Sequence, residues 1–239
     1  MDSRLSRSCR RIIICLSALL LFSSNAEEGA NSFWNQKYLT GDWGGLRTQL
    51  EDTGITLGGS YEMGYSKNTL GGIDTSGDSN KQRFTLNADF NFEKLFDWEG
   101  ARVFFQYQNH TGAFATDEVG DIQQFDGLDD PEYDRIHMFW FEQWLFDYKM
   151  RVKIGKVEPK SEFFAPLNAK NHLGFSTERS PTIGHGPPAD SINLFLYPTD
   201  EIQLSFGAYD AAFNEGRDEN DYSLHSIFDS PADTFYIAG

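Results

Sequence analysis

Residues 83–93 read RFTLNADFNFE, and residues 101–110 read ARVFFQYQNH. In the first run Arg83, Thr85, Asn87, Asp89, Asn91 and Glu93 alternate with Phe84, Leu86, Ala88, Phe90 and Phe92. Successive side chains of a strand point to opposite faces, so this segment has one apolar wall and one polar wall. In the second run Ala101, Val103, Phe105 and Tyr107 oppose Arg102, Phe104, Gln106, Gln108 and His110. Ten strand residues at about 3.3 Å each, tilted about 40°, rise roughly 25 Å, the height of an outer-membrane apolar band. The two runs therefore read as a membrane-spanning hairpin. A secreted β-sandwich strand, packed on one face and wet on the other, has the same alternation, so this hairpin alone leaves both readings open.

Upstream, residues 1–26 read as a cleaved signal peptide. Arg4, Arg7, Arg10 and Arg11 precede an apolar run from Ile12 to Phe22, and Ser24-Asn25-Ala26 is a small-residue cleavage site. The apolar run is too short for a membrane helix, which needs about twenty residues. Its removal takes a net +3 (four Arg against Asp2), moving the formal charge from −16 to −19. Both cysteines, Cys9 and Cys15, leave with it. The exported chain must then hold together without disulfides, by a large core or by closure of a sheet. So acidic a chain argues against nucleic acid as a partner, because no basic patch exists to release counterions. No apolar run of about eighteen residues follows Ala26, and the low mean hydropathy suits a barrel whose alternate residues alone meet lipid.

Residues 27–54 form an N-terminal periplasmic segment with Trp34, Tyr38 and Trp43. Asp42 caps a short helix from about Gly44 to Asp52, with Leu46 and Leu50 on one face and Gly54 as its stop. Residues 55–239 read as barrel. Strand 1 spans Ile55 to Ser66, strands 2 and 3 are the hairpin, and strand 4 runs from Arg135 to about Phe146. In strand 4 the phase slips at Glu142, so a bulge near Phe141 is expected. Strand 5 is Met150 to Lys156, strand 6 Ser191 to Tyr197, strand 7 Glu201 to Tyr209, and strand 8 starts at Thr234.

The connections separate barrel from sandwich. They alternate strictly between long and short, as short periplasmic turns and long extracellular loops do. Greek-key sandwiches mix lengths. Aromatics collect at the short turns: Phe96 and Trp98, then Trp144, Phe146 and Tyr148, then Tyr197. That is an interfacial girdle.

The stretch Leu39-Thr40-Gly41-Asp42-Trp43-Gly44-Gly45-Leu46-Arg47 resembles the carbohydrate-selective (OprB-like) porins of Gram-negative outer membranes. Further matches are Lys94-Leu95-Phe96, Trp98-Glu99-Gly100-Ala101, Val119-Gly120-Asp121 with Gln123, Trp140, Glu142-Gln143 and Gly155-Lys156. The resemblance implies an all-β, antiparallel transmembrane β-barrel of roughly sixteen strands and a passive, sugar-preferring pore. About eight strands are present here, so the chain is expected to be the N-terminal part of a larger barrel. An eight-stranded barrel would fill its interior with side chains.

On this phase the pore wall, and the substrate-binding set, is Glu62, Arg83, Asp89, Arg102, Gln106, Gln108, Arg135, Arg151 and Lys153, with His110 beside them. Opposed charges and planar amides offer donors and acceptors to sugar hydroxyls and sort ions by charge. Phe104, Phe139 and Phe141 are expected to point inward and stack on pyranose rings. The expected partners are mono- or small oligosaccharides and outer-membrane lipid, with a homo-oligomer open. No catalysis and no cofactor is expected. The acidic loops lack EF-hand spacing, the five histidines lack zinc spacing, and no nucleophile elbow or phosphate loop occurs.

Overall fold

The computed structural model describes residues 36–113, 115–121, 127–163, 188–210 and 234–239. The leader at 1–26, Trp34 and Gln123 lie outside them. A 3-10 turn at Trp43–Gly45 leads into helix α1 (Leu46–Thr53) and then strands β1 (Ile55–Lys67) and β2 (Asp78–Asn91). One-turn helix α2 (Phe92–Phe96), β3 (Ala101–Gly112) and one-turn helix α3 (Thr116–Val119) follow. Then come β4 (Tyr133–Leu145), β5 (Met150–Val157), α4 (Pro159–Phe163), β6 (Ala189–Thr199), β7 (Ile202–Asp210) and β8 (Thr234–Ala238).

The eight strands form one sheet in sequential order, every neighbour antiparallel. A sandwich needs a second sheet packed on the first. The described strands make none, so that reading is overturned. Within the described residues the sheet is open rather than closed. The alternation seen in the hairpin sets its register: Glu62 faces Arg83, Asn87 faces Gln106, and Ala88 faces Phe105.

Burial is inverted with respect to a water-soluble sheet. Lys81, His110 and Asn193 are wholly buried on the polar face, while Met63 is 69% and Phe206 46% exposed on the apolar one. A contiguous apolar surface of this kind is unfavourable in water and is the kind that a membrane barrel carries on its outside. The phase read from residue parity thus holds across β1, β2, β3, β5 and β7.

It fails in β4. The irregularity falls at His137, not near Phe141, between the pairs Gln106↔Met138 and Tyr107↔Ile136. Beyond it, Trp140 faces Phe104 and Glu142 faces Arg102, whereas Phe139 and Phe141 face Phe105 and Val103. Phe139 and Phe141 therefore lie on the apolar face, correcting the expectation that they share the polar wall. A bulge four residues earlier inverts every side chain in between.

Other expectations shift in detail. The polar run before Arg83 continues β2 up to Asp78, because its backbone pairs with the end of β1. The turn from Lys94 holds α2, whose Asn91 side chain accepts from the Lys94 N–H at 3.0 Å. Gly54 does stop α1, at φ +102°, with its N–H on the last turn's carbonyls. Asp42 accepts from the Thr48 N–H at 3.0 Å, as a capping carboxylate does, although Gly45 is the residue that enters the helix. The buried side chain of α1 is Arg47 rather than Leu46 or Leu50. Its guanidinium lies between the Tyr38 and Trp43 rings, 3.9 and 4.2 Å from their centroids.

Candidate functional site

The polar face carries its charges in pairs. On facing positions of β1 and β2, Arg83 Nε donates to Glu62 at 2.7 Å, and its Nη1 reaches the Gly127 carbonyl at 3.2 Å. Further toward the short-turn end, Arg102 grips the Asp89 carboxylate with Nε and Nη2. A fork-to-carboxylate pair of this kind is rigid as well as strong. Between the two pairs lies a ladder of amides. Gln106 donates to Asn87 at 2.9 Å, Gln108 donates to Gln106 at 3.3 Å, and the Tyr133 hydroxyl donates to Gln108 at 3.0 Å.

A second cluster joins β4, β5 and the connection beyond them. Lys153 lies 3.2 Å from Glu142 and 2.6 Å from Glu162, and Arg151 lies 3.4 and 2.7 Å from the same two carboxylates. Two cations and two anions close a ring. Glu162 comes from α4, which therefore lies over the polar face. Phe163 fixes it there, 5.4 Å from the Phe195 ring and 6.2 Å from Tyr209. Trp140, 8% exposed, stacks on Phe104 at 5.1 Å and carries the Lys153 ammonium 3.9 Å from its ring. Such a cation over an indole is favourable, more so when desolvated.

The connection after β3 also folds back onto this face. Asp129 accepts from Lys81 at 3.1 Å, from the Ala115 N–H at 2.7 Å and from the Thr116 hydroxyl at 2.6 Å. Burial pushes its carboxyl up, but these hydrogen bonds outweigh burial and hold it below the usual aspartate range. His110 lies beneath, Nε2 2.8 Å from the Leu128 carbonyl and Nδ1 3.2 Å from that of Pro131.

All ten residues expected on the pore wall thus share one face of the sheet, and the structure groups them. Glu62 with Arg83 and Asp89 with Arg102 form two cross-strand pairs. Gln106 and Gln108 link strands, Phe104 sits under Trp140, and Arg151 with Lys153 meets α4. Arg135 stands apart, its guanidinium 4.0 Å from the Tyr133 ring. Sequence reading missed Trp140, Glu142, Glu162, Lys81 and Asp129 as members of this face. The first two were hidden by the bulge. Asp129 and Glu162 lie in segments with no periodicity to assign a face, and Lys81 lies in the part of β2 from Asp78 to Gln82, where every residue is polar and no alternation marks the faces. Among the described residues no group of three or more His, Cys, Asp or Glu is placed to hold a metal ion.

Comparison with known proteins agrees with this geometry. The chain is 28% identical to Porin B of Pseudomonas aeruginosa over 170 residues, which is 66% of this chain and 37% of that protein. Its fold superposes on the high-pH structure of Pseudomonas putida OprB with a TM-score of 0.68 at 21% identity, covering 79% of this chain and 49% of that one. The chain therefore spans between about a third and a half of the length of these relatives. Residues 75–233 match the family described as "Carbohydrate-selective porin, OprB family". With two-thirds of its length matched and an inside-out barrel sheet, the chain belongs to the OprB family of carbohydrate-selective porins.

Proposed function

We propose that the protein allows passive diffusion of mono- and small oligosaccharides, with accompanying ions, across a Gram-negative outer membrane. Residues 1–26 direct export, residues 27–54 stay on the periplasmic side, and the strands from Ile55 onward meet lipid with their apolar face. The polar face lines the aqueous path, and α4 together with the connection after β3 narrows it.

One observation carries this reading: among the described residues the charges on the polar face, Arg135 apart, are matched. Glu62 with Arg83, Asp89 with Arg102, and the ring of Glu142, Lys153, Arg151 and Glu162 each sum to zero. A neutral wall rich in oriented donors and acceptors favours a polyhydroxyl solute over a bare ion, because ions are sorted by uncompensated rings of charge. On this reading transport runs down the solute's gradient.

The test is proteoliposome swelling with the purified full chain in glucose, raffinose and dextran. Swelling in glucose, slower swelling in raffinose and none in dextran is the expected order. Failure to swell in any sugar, by protein that migrates as the folded form on unboiled gels, would overturn the proposal.

A further inference from the structure

One cation on the polar face breaks the pairing rule. Lys81, Arg83, Arg102, Arg151 and Lys153 each have a carboxylate within ion-pair distance. Arg135, facing Gln108 across β3 and β4, has none among the described residues. Its Nε is buried without a hydrogen-bond partner, as is Nδ1 of His137 two residues on, at the bulge. The guanidinium is not loose, because the Tyr133 ring lies 4.0 Å from it and the Tyr133 hydroxyl is held by Gln108. Arg135 is half-buried, and the buried Nε of its fork lacks an acceptor, which costs stability unless a ligand supplies one.

Glu158, between β5 and α4, makes an ion pair with neither Arg135 nor Arg83 among the described residues, though both act on it electrostatically. Burial pushes its carboxyl up against the pull of Lys160, Arg83 and Arg135. Among the described residues the site thus offers a guanidinium whose Nε has no acceptor and a carboxyl group in no ion pair with it, beside an aromatic face.

We infer that Arg135, His137 and Glu158 form a subsite for a sugar that carries a carboxylate, a uronic or aldonic acid. Arg135 takes the carboxylate in its planar fork, His137 adds a polar contact, and Glu158 meets the hydroxyls. This rests on the porin reading above and deepens it, since a neutral sugar satisfies Glu158 but leaves Arg135 bare.

The experiment titrates the detergent-solubilised full chain with sodium glucuronate, glucose and sodium chloride, following tryptophan fluorescence. Glucuronate is expected to bind about tenfold more tightly than glucose, the factor that one charge-assisted fork supplies. Arg135→Gln should bring glucuronate down to the glucose level, and Arg135→Lys should fall between. Equal affinities in the native chain, a preference that survives Arg135→Gln, or a preference matched by chloride would each overturn the inference. Should neither variant migrate as the folded form, the native comparison decides alone. Loss of glucose swelling in proteoliposomes, by contrast, counts against the porin reading and leaves this binding result standing on its own.

Discussion

Lys153 and Glu162 meet at 2.6 Å although one lies on β5 and the other on α4, across the turn at Glu158. With Arg151 and Glu142 they tie a connecting segment to the polar face of the sheet. Glu162→Gln leaves two cations to share Glu142. Loss of a charge-assisted hydrogen bond costs about 1.5–3 kcal/mol. The expected result is a lower temperature of conversion from the folded to the unfolded gel band, with a larger single-channel conductance as α4 loosens. An unchanged conductance would mean that α4 does not narrow the path.

The Asp129 latch gives a pH dependence with a definite sign. Its carboxyl is held below the usual range by Thr116, Ala115 and Lys81, against burial. A depressed carboxylate contributes stability above its unfolded value of about 3.9 and loses it as pH falls through the folded one. The protection factors of the amides of residues 115–121 and 127–132, which remove the intrinsic pH dependence of exchange, should therefore be high and alike at pH 7 and pH 5, and should fall steeply below about pH 3.9. Asp129→Asn should show low protection at every pH. Equal protection in both proteins at pH 7 would remove Asp129 as the latch.

Lipid exposure is tested along β2, whose full length changes where the midplane falls. The strand runs from Asp78 to Asn91, so Leu86 lies near its middle and Phe90 one residue from its end. Leu86→Arg should cost about 2–4 kcal/mol and Phe90→Arg only about 0–1, since the penalty for a cation falls toward the interface. Asn87→Arg, on the polar face, should assemble normally. Folding efficiency into vesicles reads all three, and an equal penalty at Leu86 and Asn87 would contradict the assignment of the two faces.

How much of this was legible in the sequence follows from where a period exists. The parity of Arg83 to Glu93 and of Ala101 to His110 gave the faces, because a strand repeats every two residues. The same rule misplaced Phe139 and Phe141, since an extra residue at His137 resets the count and nothing in the Ile136-His137-Met138 triplet marks it. Asp129 and Glu162 were beyond reach for another reason. Their segments have no repeat, so which of many acidic residues turns inward depends on Lys81, Arg151 and Lys153 being there to receive it.

Arg47 supplies the last test, at the start of the sheet. Its Nε donates to the Gly41 carbonyl at 3.1 Å, Nη1 to that of Leu57 at 2.9 Å, and Nη2 to the Thr40 hydroxyl at 3.0 Å. The Leu57 contact ties the segment before α1 to β1, and the Tyr38 and Trp43 rings hold the guanidinium plane. A lysine keeps the charge but neither the fork nor the stacking. Arg47→Lys should therefore lose most of the clamp, about 1.5–3 kcal/mol, nearly as much as Arg47→Ala. Urea titration followed by tryptophan fluorescence measures both. If Arg47→Lys matched the native chain while Arg47→Ala did not, charge alone would be the clamp and the ring contacts incidental.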